Sequence, residues 1–146
     1  MFQSGDAVGE YILEEKLGEG AYGVVFRARN AVSEKCFALK IVPLAGRAGK
    51  RELHALKRYR EFDHKNLLKI HHAGISGDYL YYTMDLADGK LADAHFNAAQ
   101  LREAAEKISD ALALLHRNKL LHRDIKPDNL FLRDGNALLG DIGLIT

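Results

Sequence analysis

Cys36 is the only cysteine in the 146-residue chain, which excludes an internal disulfide and any multi-cysteine metal site. An excess of charge of one sign is also lacking. The chain has 21 basic against 20 acidic side chains, a net charge of +1. That balance argues against a strong general attraction to nucleic acid or to anionic lipid. No apolar run approaches membrane-spanning length. Met1 to Gly9 lacks the basic start and apolar run of a secretion signal. Repeats and low-complexity segments are absent as well. These absences point to a soluble cytoplasmic domain, and an anchor elsewhere in a longer parent protein stays compatible with them. With 47% hydrophobic residues, the chain has enough apolar side chains for a core. One compact unit, or one lobe with part of a second, is expected at this length.

What is present divides into two compositions. Tyr11–Leu17, Val24–Ala28 and Cys36–Val42 read as strands, with the small residues Gly18, Gly20, Ala21 and Gly23 between the first two. A loop containing Pro43, Gly46 and Gly49 leads to a helix over about Lys50–Arg60. Leu67–Ile75 and Tyr79–Leu86 read as two further strands. From Gln100 to Arg117, Leu101, Ala105, Ile108, Leu112 and Leu115 recur at alternating spacings of four and three. That period places them on one face of a long helix. Asn97 and Gln100 fit a capping box at its start. Short strands follow at Leu130–Leu132 and Ala137–Leu139, and a boundary falls near Ala87 to Gly89.

Four strings carry candidate chemistry. Gly18-Glu19-Gly20-Ala21-Tyr22-Gly23 lets a backbone approach an anion closely, although an ordinary glycine turn reads equally well from the string alone. Val24, Val25 and Phe26 follow it and favour a strand, unlike the helix that follows dinucleotide-binding glycines. Lys40, at the end of an apolar strand, needs an anion unless it snorkels to water. Glu52 is the candidate partner and Glu61 the runner-up. A helix-start carboxylate stabilised by the helix dipole is the other reading of Glu52. In His122-Arg123-Asp124-Ile125-Lys126-Pro127-Asp128-Asn129, six of eight residues are polar. There Asp124 can accept a hydroxyl proton, Lys126 can neutralise phosphate charge, and Asn129 can offer an amide oxygen to a metal. In Asp141-Ile142-Gly143 the carboxylate can hold Mg²⁺, or the string is a plain turn.

In this order and context, the four strings resemble the signature set of eukaryotic-type serine/threonine protein kinases, across nearly the whole chain from about Tyr11. The resemblance implies an α+β, protein kinase-like fold. Residues 1–87 would form a five-stranded antiparallel N-lobe with one helix, and residues 88–146 a partial, mainly helical C-lobe. It also implies ATP and Mg²⁺ as cofactors and protein hydroxyls as substrates. Gly18, Gly20 and Gly23 would cover the ATP phosphates. Lys40 would contact the α- and β-phosphates and pair with Glu52. Val25, Ala38, Met84, Asp85 and Ala87 would surround adenine, with Met84 at the back of that pocket and the hinge running from Asp85 to Ala87. Asp124 would be the catalytic base, beside the serine/threonine-type Lys126. Asn129 and Asp141 would bind the metal.

Some positions depart from the family pattern. Ile142 replaces the usual Phe, Lys65 replaces the common Pro of its turn, and Lys40 and Glu52 are unusually close in sequence. Thr146 falls three residues past Gly143, before an activation segment or a peptide-docking platform. The expectation is therefore a kinase catalytic domain that is weak or inactive in this form. The alternative is a nucleotide-binding regulatory, pseudokinase-like module acting through a partner or through self-association of exposed apolar surface.

Overall fold

The computed structural model describes residues 1–20 and 23–141. Ala21, Tyr22, Ile142, Gly143 and Thr146 lie outside the described residues. The chain divides into two units. One comprises Met1–His54 with Ile70–Leu86, and the other Ala55–Lys69 with the chain from Ala87 onward.

The first unit is built on an antiparallel sheet of β1 (Ala7–Val8), β2 (Tyr11–Gly20), β3 (Gly23–Asn30), β4 (Cys36–Pro43), β5 (Ile70–Ser76) and β6 (Tyr79–Met84). The strand order is β1-β2-β3-β4-β6-β5. The sheet thus has six strands where five were expected. The extra one is β1, which doubles back on β2 with Val8 opposite Tyr11. Gly9 makes that tight reversal possible by adopting φ +55, a conformation two-residue hairpin loops require. A two-residue strand carries too little periodicity to stand out in a sequence.

Alternation along the strands builds the core of this unit. Tyr11 and Leu13, Phe26 and Ala28, and Leu39 and Ile41 face one side and are buried together with Val8 and Tyr81. Helix α1 (Gly46–Tyr59) begins four residues before the expected Lys50. Gly46 and Gly49, read as loop residues, belong to its first turn. Gly49 packs so closely on the end of β4 that a Cβ there would collide with the Pro43 carbonyl oxygen. The glycine therefore allows backbone contact, and helix propensity yields to packing.

The second unit holds helix α2 (Ala98–Arg117) and a small sheet of β7 (Gly89–Lys90), β8 (Leu130–Arg133) and β9 (Asn136–Leu139) in the order β7-β8-β9. The capping box forms as expected. The Gln100 amide donates to Asn97 Oδ1, and the Asn97 amide donates to Gln100 Oε1, both at 2.9 Å. The buried face of α2 shares Ile108 and Leu115 with the expected one but is shifted around the helix. Ala104, Ile108, Ala111 and Leu115 are buried, whereas Leu101 is 50% exposed. The true face is rotated by about 50° from the expected one, at about 100° per residue. Small alanines let α2 approach β9, and this outweighs the larger residues of the neighbouring stripe.

Asn66 ties the second unit together. Its buried side chain donates to the Ala137 carbonyl at 2.9 Å and to Asn136 Oδ1 at 3.0 Å. Its own carbonyl accepts from the Leu139 amide at 2.8 Å.

Gly49→Ala should destabilise the protein by about 1–3 kcal/mol, the usual cost of forcing volume into a packed site. Urea unfolding measures this, and an unchanged midpoint would contradict the close-approach account.

Candidate nucleotide and phosphoryl-transfer site

In the first unit, the glycine string lies in the β2–β3 hairpin. Gly18 is opposite Val25, and Gly20 is opposite Gly23. A Cβ at Gly18 or Gly20 would meet nothing within 4 Å, so these two leave open space beside the backbone. Gly23 has a packing reason instead, because a Cβ there would sit 2.6 Å from the Ile41 carbonyl oxygen.

Lys40 lies inside β4, between Val25 of β3 and Tyr82 of β6. The strand runs on to Pro43, so Lys40 is not at its end as expected. Its ammonium is 2.7 Å from Glu52 Oε1, and the two side chains are 12% and 3% exposed. Glu61, the other candidate, is exposed in the turn after α1. Because α1 starts at Gly46, Glu52 lies nearly two turns in, beyond the main reach of the helix dipole. Its burial is compensated by hydrogen bonds. The Tyr82 hydroxyl donates to the same Oε1 at 2.6 Å. A buried ion pair contributes little net stability compared with apolar side chains of similar volume, yet losing one partner costs about 3–5 kcal/mol. Stability alone therefore does not account for this pair.

Ala38 is buried and pairs with Met84 across β4 and β6. Asp85 follows, with Oδ1 2.5 Å from His71 Nε2. Val25, Met84, Asp85 and Ala87 are each partly exposed.

In the second unit, Asp124, Lys126, Asn129 and Asp141 are gathered around one brace. His122 is 2% exposed. Its Nε2 donates to the Gly140 carbonyl at 2.7 Å, and its Nδ1 accepts from the Asp124 amide at 3.2 Å. The two bonds together require the neutral Nε2–H tautomer. Asn129 Nδ2 donates to the Asp124 carbonyl at 2.7 Å and to Asp124 Oδ2 at 2.9 Å. The Asn129 carbonyl accepts from the Gly140 amide at 2.9 Å, immediately before Asp141. Lys126 Nζ is 3.7 Å from Asp124 Oδ1 and half exposed, so this pair is weakened by solvent. Arg123 and Asp141 have φ of +68 and +55. Such conformations cost about 1–3 kcal/mol each, and they persist where surrounding bonds enforce them.

A magnesium ion fits this donor set. Asn129 uses its N–H groups on Asp124, which leaves the amide oxygen as an acceptor, and Asp141 adds a carboxylate. Mg²⁺ prefers one or two such oxygen ligands alongside water and phosphate. Among the described residues, no group of three or more His, Cys, Asp or Glu side chains converges as a self-sufficient metal site.

His122 and Tyr82 are the residues that sequence reasoning missed as members of these clusters. His122 lay within a quoted string without a role, and Tyr82 looked like any strand aromatic.

Residues 11–146 match the protein kinase domain family, and the chain belongs to it. The chain is 32% identical to CBL-interacting serine/threonine-protein kinase 7 of Arabidopsis thaliana, over 94% of its own length and 35% of that protein. It is also 32% identical to serine/threonine-protein kinase 36 of Pongo abelii, over 92% of its own length and 11% of that protein. Against serine/threonine-protein kinase sgk-1 of Caenorhabditis elegans the identity is 31%, over 88% of the chain and 30% of that protein. The chain therefore spans about a third or less of each of these three relatives.

His122→Phe keeps the volume but removes both ring nitrogens. It should cost about 1–3 kcal/mol by leaving the Gly140 carbonyl without its donor. Equilibrium unfolding tests this, and a variant as stable as the wild type would contradict the brace.

Proposed function

We propose that this chain carries the nucleotide-binding and catalytic elements of an ATP-dependent serine/threonine protein kinase, which transfers the γ-phosphoryl group to a protein hydroxyl. The observation that supports this most is the buried Lys40–Glu52 pair, 2.7 Å apart. In this reading Lys40 neutralises the α- and β-phosphates, Gly18 and Gly20 leave room for phosphates beside the β2–β3 hairpin, and Gly23 lets that hairpin pack against β4. Val25, Ala38 and Met84 supply apolar surface for adenine, and the backbone from Asp85 to Ala87 supplies its hydrogen bonds. Asn129 and Asp141 hold Mg²⁺, which screens the charge of the phosphates. Asp124, oriented by Asn129, accepts the proton of the attacking hydroxyl. Lys126 stabilises charge on the transferring group. Residues 1–87 and 88–146 act as the two lobes, in a cytoplasmic setting.

Serine/threonine preference rests on Lys126 and on the names of the relatives. A second element of the proposal is self-association. Leu101, Leu121 and Ile125 are 48–50% exposed, and in this element of the proposal a second copy covers them. Sizing chromatography at micromolar concentration should show species above monomer, and a strictly monomeric protein would count against this element.

Titration with ATP in the presence of Mg²⁺ tests the nucleotide site. Wild-type protein should bind, and Asp141→Ala should bind at least about tenfold more weakly, as expected when a charged metal ligand is lost. Wild-type transfer to a basic test protein should be weak or absent in this form, and Asp124→Asn should retain binding while removing any transfer the wild type shows. No binding by the wild type would sink the reading. Transfer that survives Asp124→Asn would remove Asp124 as base.

A further inference from the structure

Tyr82 is 1% exposed and lies opposite Lys40 in the β4–β6 register. Its hydroxyl donates to Glu52 Oε1 at 2.6 Å, the same oxygen that Lys40 Nζ approaches at 2.7 Å. Two donors from adjacent strands thus converge on one carboxylate oxygen of α1. Their chemistry differs. Lys40 is a cation with three N–H donors, and it can serve a phosphate and a carboxylate together. Tyr82 is neutral, has a single hydroxyl proton to give, and has no charge to offer a phosphate. A buried tyrosine hydroxyl without a partner would be costly, so the bond to Glu52 also holds Tyr82 in place.

We propose that Tyr82 is a positioning residue: it holds Glu52, and with it helix α1, on the β4–β6 face while Lys40 turns part of its hydrogen bonding to nucleotide phosphate. The inference deepens the kinase reading and, for its nucleotide arm, rests on it. Helix α1 stays docked in the nucleotide-free protein because its anchor does not depend on Lys40 alone. The buried carboxylate is kept in one rotamer by bonds from two strands, and Lys40 inherits an oriented partner.

The test compares wild type, Tyr82→Phe, Glu52→Ala and the double variant. Amide hydrogen exchange of residues 50–56 is measured without nucleotide, and Mg-ATP affinity is measured by titration. Tyr82→Phe keeps the ring and removes only the hydroxyl. Loss of a hydrogen bond to a charged group should speed exchange in α1 about tenfold and weaken Mg-ATP binding about five- to tenfold. In the Glu52→Ala background the same substitution should change affinity less than about twofold, because the acceptor is gone. Equal losses in both backgrounds would identify an effect of the hydroxyl that does not pass through Glu52, and would overturn the proposal. So would exchange and affinity within about twofold of wild type in Tyr82→Phe. If wild-type protein binds no Mg-ATP, the kinase reading fails while the exchange arm still decides the role of Tyr82. Thermal midpoints of all four proteins show whether each is folded. If Glu52→Ala is unfolded, the exchange result for Tyr82→Phe alone decides, with unchanged exchange overturning the proposal.

Discussion

Glu52 reaches Lys40 from α1 and gives a cation within an otherwise apolar strand a buried anion. Glu52 is 2% exposed, and a carboxylate buried to that degree is expensive to leave uncompensated. Several features of the first unit serve that meeting. Gly49 lets the start of α1 press against the end of β4. The early start at Gly46 carries Glu52 away from the helix terminus and onto the sheet. Tyr82, beside Lys40 in the sheet, gives the carboxylate a second bond. The pair is thus a constraint on where α1 can lie, imposed by the cost of burying charge.

The second unit uses a set of hydrogen bonds for a related purpose. His122 links the Asp124 backbone to Gly140, and Asn129 links the Asp124 side chain to the same neighbourhood. Residues far apart in sequence are thereby held in fixed relation: Asp124 and Asn129 on one side, Asp141 on the other. The positive φ of Arg123 and Asp141 is the conformational cost of that arrangement. Orientation achieved before any substrate arrives is the kind of contribution that phosphoryl transfer draws on most.

Much of this was legible in the sequence because the strings are local. The β2–β3 hairpin, the strand bearing Lys40, the choice of Glu52 over Glu61, and the Asn97–Gln100 capping box all follow from short-range pattern and residue chemistry. The family itself was legible from the order of four strings. The misses involve packing between distant segments. Gly46 and Gly49 look like loop residues until the backbone contact with Pro43 is known. The face of α2 was placed by its larger side chains, whereas close approach to β9 selected Ala104 and Ala111. β1 was too short to register. Tyr82 shows no sign of its role in sequence, since only the register of β4 and β6 brings it beside Lys40.

A double-mutant cycle on Mg-ATP affinity tests the central pair most directly, using Lys40→Met, Glu52→Gln and the combination. If Glu52 acts on nucleotide by orienting Lys40, adding Glu52→Gln to Lys40→Met should weaken binding by less than about twofold, although each single change weakens it clearly. Losses that multiply in the double variant would mean that the two residues act independently, and would contradict the account.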